Sequence, residues 1–138
     1  MNKIILENYN PQPYPIGEYE LEKILYDYNG TTLILESEQH VVTIQFPKPI
    51  EFLRTSDEGN RIKTTHEILA EYGDSIKGYT LFKVLDSELS AWLESETFTA
   101  LNKENSTHFM FATNNDITEI VSVNDPIISY KVKWNLYE

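Results

Sequence analysis

Apolar and polar positions alternate with a period of two along several stretches of the chain, and turn-forming residues separate them. The clearest stretch is His40-Val41-Val42-Thr43-Ile44-Gln45-Phe46, which puts Val42, Ile44 and Phe46 on one side and Val41, Thr43 and Gln45 on the other. Pro47 and Pro49 end it, because proline cannot donate to a ladder. A partner strand at 31–36 precedes it across the polar corner Glu38-Gln39. A less regular strand beginning at Tyr19 comes before that, across Asn29-Gly30. A type I′ turn needs positive φ twice, and Asn-Gly tolerates that best, so the pair predicts a tight hairpin. Residues 50–54 read as a further short strand that ends in the turn Ser56-Asp57-Glu58-Gly59.

The period then lengthens. Thr64 and Glu67 have capping-box spacing ahead of Ile68-Leu69, and Gly73 is a natural stop. Ile62, Leu69 and Tyr72 share one stripe if this helix begins earlier, near Asn60. After a strand at 79–84, Asp86 or Ser87 caps a second helix. Its inward face is Leu89, Trp92 and Leu93, an i, i+3, i+4 set. Strands at 107–113 and 117–123 flank Asn114-Asn115-Asp116, and a last one occupies 127–134 after the break at Asp125-Pro126.

At the other end, Pro11, Pro13 and Pro15 make residues 1–17 an extended proline-rich arm, which Tyr9 and Tyr14 would latch to the body. The order is strands, helix, strand, helix, strands. That predicts one α+β domain over 1–138, with a largely antiparallel sheet and two helices packed on one face.

With 138 residues, such a domain buries roughly two-thirds of its unfolded surface and needs no staples. Cysteine is absent, which removes disulfides, thiol nucleophiles and thiolate zinc sites from consideration. The first residues lack the apolar core of a signal peptide, and the longest apolar run is Phe109-Met110-Phe111-Ala112. A cytoplasmic protein with no membrane span is expected.

Enzyme motifs fail one by one. His66-Glu67 opens like a zinc-protease helix, but position 70 is Ala. A site built from His40, His66 and His108 would need strands and a helix to converge by chance. No Gly-x-Ser-x-Gly elbow exists, and the five glycines never cluster into a phosphate-cradling loop. Asp57-Glu58-Gly59-Asn60 lacks the alternating ligands and closing Glu of a calcium loop. No catalytic residue, metal or cofactor is expected, and the protein reads as a non-enzyme.

The charge is more informative. Eleven Lys+Arg against 22 Asp+Glu give −11, the wrong sign for binding phosphate backbones or anionic lipid. The excess is spread: 8 acids and 4 bases lie in 1–55, 10 and 5 in 56–105, and 4 and 2 in 106–138. Around the second helix, however, Asp86, Glu88, Glu94, Glu96 and Glu104 have only Lys103 as compensation. If Leu89, Trp92 and Leu93 point inward, Glu88, Glu94 and Glu96 face solvent or a partner. With Asp116 and Glu119 of the last hairpin, these acids are the candidate partner-binding residues.

Several words of the sequence resemble a known group. Phe52-Leu53-Arg54-Thr55-Ser56-Asp57-Glu58-Gly59-Asn60-Arg61, then Leu81-Phe82-Lys83-Val84 with Ser87 and Trp92-Leu93, then 108–116 with Ile120 and Pro126 are the words in question. They resemble small acidic bacterial immunity proteins that accompany polymorphic toxins. The resemblance covers roughly residues 52–126 and carries no catalytic residues. It implies a cytoplasmic, toxin-neutralising inhibitor of one cognate toxin domain. Many such toxins are nucleases with basic surfaces, to which an acidic inhibitor would be steered. Two rivals remain. One is a small-ligand or regulatory binding module with a pocket between helices and sheet, and the other is an antagonist mimicking DNA with a strip of acids. Oligomeric state is not readable from the sequence.

Overall fold

Among the described residues nine strands and two helices form; eight of the strands and both helices follow the order read from the sequence, and the ninth lies in the N-terminal arm. The structure, a computed structural model, describes residues 4–48, 50–102 and 104–133. Pro49, Lys103 and Trp134, which figured in the sequence reading, lie outside them.

The strands divide into two antiparallel sheets rather than the one expected. The first contains β1 (Ile5–Asn8), β5 (Phe52–Asp57), β6 (Leu81–Leu85), β7 (Thr107–Ala112) and β8 (Asp116–Ser122), in the order β1-β6-β7-β8-β5. The second contains β2 (Glu20–Asp27), β3 (Gly30–Glu36), β4 (His40–Phe46) and β9 (Ile127–Val132), in the order β2-β3-β4-β9. Leu33, Leu35, Val42, Ile44, Phe46 and Ile128 from the second sheet and Leu81, Phe109, Phe111 and Ile120 from the first form one buried cluster. The sheets therefore pack face to face. Alternation of side chains sends the intervening residues of β7 and β8 to the far side of the first sheet.

Both helices cover that far side, as expected. α1 (Ile62–Tyr72) sets Ile68 against Met110 and Ile117, and α2 (Glu88–Glu96) sets Leu89 and Leu93 against Val121. The layers run sheet, sheet, helices. The inward faces differ in detail from the sequence reading. Trp92 is 48% exposed, its place taken by Ser90, and its ring meets only the edge of Phe52 at 5.7 Å. Ile62 and Leu69 are also exposed, while Ile68 and Tyr72 pack inward. Thr64 lies inside α1 and caps nothing: a 3-10 turn over Glu58–Arg61, capped by Asp57, leads directly into the helix. Gly73 stops α1 as expected, at φ +53 with its N–H on the Leu69 carbonyl.

The first hairpin is displaced by one residue. Tyr28 and Asn29 form its corner, Asp27 Oδ1 accepts the Asn29 N–H at 2.8 Å, and Asp27 pairs with Gly30. Asn29 has no positive φ, so the turn is not type I′. Gly30 is needed for another reason. At φ +152 a Cβ on it would lie 2.5 Å from the Phe46 carbonyl oxygen of the neighbouring strand.

The N-terminal arm is more structured than a proline-rich tail. Ile5–Asn8 pairs with β6, and Tyr72 of α1 holds it by accepting the Leu6 N–H and donating to the Ile4 carbonyl. Tyr9 packs edge-on against Phe109 at 5.2 Å, and the Tyr14 hydroxyl accepts the Leu81 N–H. The latch thus holds at both tyrosines. Among the described residues no helix is long and apolar enough to cross a membrane.

Candidate functional site

The polar centre of the molecule follows from strand parity. On β8, Ile117, Glu119 and Val121 all point to the helix side, so a carboxylate stands between two apolar residues under the helices. Opposite it, β5 presents Arg54 directly in register. Glu119 is 1% exposed and would be intolerable there without partners. It has four contacts from three residues. Arg54 donates Nε to Oε1 at 2.8 Å and Nη2 to Oε2 at 3.2 Å. Arg61, in the 3-10 turn, donates Nη1 to Oε1 at 2.6 Å. His108 Nε2 lies 2.7 Å from Oε2. Burial alone raises the pKa of this group. The hydrogen bonds from His108, Arg54 and Arg61 overcome that and hold the carboxyl far below the usual carboxylate range.

The chain of contacts continues. His108 Nδ1 lies 2.6 Å from Ser87 Oγ, and that oxygen also caps α2 by accepting the Ser90 N–H at 3.0 Å. Donation from Nε2 to Glu119 and acceptance of the Ser87 hydroxyl at Nδ1 satisfy both neighbours. One carboxylate thereby ties β5, the 3-10 turn, β7, β8 and the start of α2 together.

Serine, histidine and glutamate in a line resemble a hydrolase triad in outline only. Ser87 Oγ already serves as helix cap. The carboxylate of a triad serves the imidazole, whereas both oxygens of Glu119 also accept from two guanidiniums. The arrangement suits bracing better than proton transfer. Among the described residues no group of three His, Asp or Glu side chains could hold a metal ion.

Above this network the helices leave a groove of about 720 Å3. Arg54, Arg61, Lys63 and Thr64 form its α1 side, Asp86, Ser87 and Glu88 its α2 side, and His108, Met110 and Glu119 its floor. Asp86 turns the chain from β6 into α2 at φ +48, a conformation Asp accepts more readily than most residues.

The structure separates the acids that the sequence grouped. Glu88, Glu94 and Glu96 all lie on α2, with Glu88 and Glu96 exposed and Glu94 half-buried. Asp116 pairs with Asp57 at the end of β8 next to Ile117, under α1, so it does not share the α2 face. Glu119 is buried beneath both helices, which corrects its place among surface contacts: in this structure it is a brace. In their stead α2 brings up aromatics. Phe98, just beyond its end, is 92% exposed at φ +51, and Thr99 follows at φ +67. Two successive non-glycine residues in the left-handed region are costly, and here they hold a phenyl ring out in water just past the C-terminal end of α2.

Arg54, Arg61, Ser87 and His108 were not singled out as a site by the sequence reading. A signal was present. Arg54 and Arg61 are the only arginines in the chain, seven positions apart. Glu119 shares one face of its strand with Ile117 and Val121, and an acid between two apolar residues there requires a partner.

No protein-family model matches this chain, and neither a curated protein nor a solved structure matches it.

Proposed function

We propose that this chain is a non-enzymatic, toxin-neutralising binding protein of the bacterial cytoplasm, which captures a basic cognate toxin domain with the face of α2. The observation that carries the reading is the pairing of exposed aromatics with acids on that face: Trp92 and Phe98 stand out from a surface carrying Glu88, Glu96 and Asp86. Aromatic anchors supply most of the affinity at protein interfaces, and surrounding charges steer encounter and select partners. The net charge of −11 favours a cationic surface such as a nuclease cleft. The resemblance over residues 52–126 points to the same class.

The reading requires a toxin gene beside this one, and the test is co-expression with the C-terminal domain of its product. Growth should be rescued by the native chain and lost with Trp92→Ala/Phe98→Ala, although that double variant folds. Rescue undiminished by the double variant would refute the face.

A second reading, a small-ligand binding module, is favoured by one specific observation. The groove over the Arg54–Glu119–Arg61 network is of the size that binding sites for small molecules have, about 300–1,000 Å3.

A further inference from the structure

Both arginines of the chain bind the same buried carboxylate. Neutralising Glu119 requires one of them, so two guanidinium charges face a single anion at the floor of the groove. Each guanidinium also keeps donors outside the network. The Glu119 contacts of Arg54 use Nε and Nη2, not Nη1. Those of Arg61 use Nη1, with Nε towards Thr64 Oγ1 at 3.4 Å, and not Nη2. Arg61 is 21% exposed, so its charge is partly withdrawn from water. Ser56 lines the same groove, and its hydroxyl oxygen is buried with no hydrogen-bond partner among the described residues. The opposite wall carries the carboxylates of Asp86 and Glu88.

We propose that the groove between α1 and α2 binds a small zwitterion, a short peptide with free ends, with its carboxylate at Arg54 and Arg61 and its ammonium group at the Asp86–Glu88 wall. A planar carboxylate matches the fork of a guanidinium. A plain anion would approach a molecule of charge −11 against its field. A zwitterion meets no net repulsion and finds a partner on each wall. The volume of about 720 Å3 accommodates more than one amino acid. This proposal rests on the second reading above and is independent of whether α2 also captures a protein.

Chemical-shift titration of the full chain with four probes tests it: trialanine, N-acetyl-trialanine, trialanine amide and inorganic phosphate. Trialanine should shift the resonances of Arg54, Arg61 and Ser87, and blocking either end should weaken binding about tenfold or more, roughly 1.4 kcal/mol. Arg54→Lys keeps the charge without the fork, and Asp86→Asn tolerates the same backbone conformation. Each should weaken trialanine about tenfold while circular dichroism stays native. If phosphate or a singly blocked peptide binds as tightly as trialanine, the zwitterion is wrong although the groove is a binding site. If none of the four moves these resonances, the zwitterion and the ligand-binding reading fall together.

Discussion

The two faces of the five-stranded sheet are made by the same strands and are built on opposite terms. Towards the second sheet β7 and β8 present Phe109, Phe111 and Ile120, all fully buried among other apolar side chains. Towards the helices the same strands present His108, Met110, Ile117, Glu119 and Val121. The inner face is held by contact area, which is non-directional and insensitive to pH. Beneath the helices the outer face depends on an ion network around the buried Glu119 carboxylate, whose charge is costly there without its partners. A closed apolar interface leaves no room for chemistry, whereas a face covered by two short helices leaves a groove with charged walls.

Breaking the inner face should have the largest effect. Phe109→Ala removes a ring that Tyr9 and Phe46 both meet edge-on, and urea denaturation should show a loss of about 3–5 kcal/mol. That loss should be the same at pH 7 and pH 4. Glu119→Gln attacks the outer face and should cost about 3 kcal/mol at pH 7 by leaving two guanidiniums without their anion. Its pH dependence has the opposite character. The folded carboxyl is held well below its ordinary range, so the stability it contributes is complete above the unfolded value and is lost as pH falls towards the folded one. The native protein should therefore weaken from about pH 5 downwards, and the gap between it and the Gln variant should narrow. A pH-independent gap would mean that Glu119 stabilises by packing rather than by charge.

Smaller effects sharpen the contrast. Ser87→Ala removes the cap of α2 and the His108 contact together and should cost about 1–2 kcal/mol, read by the same denaturation. Reversing Glu96, exposed in the last turn of α2, to lysine should change stability by no more than about 0.5 kcal/mol.

The inner face was readable from the sequence and the outer face only in part. In the second sheet, which closes that face, alternation alone sets Val42, Ile44 and Phe46 on one side, and all three are fully buried. Both helices were placed on one face, Ser87 was among the caps, and Gly73 was the stop. The sequence predicts one sheet where two form, because strand pairing is non-local: β5 pairs with β8 from Phe52–Val121 to Asp57–Asp116, and nothing in either strand names its partner. Trp92 was assigned inward by helical spacing, yet on so short a helix Leu89, Ser90 and Leu93 already fill the contact. Glu119 was grouped with surface acids because its sequence neighbour Asp116 is a turn residue. Its burial follows from β8 being covered on both faces, which only the assembled layers reveal.

The proposed reading requires a basic toxin domain encoded beside this chain, and its association rate constant with the purified chain, followed by stopped flow as salt is raised, tests that reading most directly. For the native protein it should be fast at low salt and fall steeply. For Glu88→Lys/Glu94→Lys/Glu96→Lys it should start at least tenfold lower and vary little with salt. Identical rates and salt slopes for the two folded proteins would contradict capture by the α2 face.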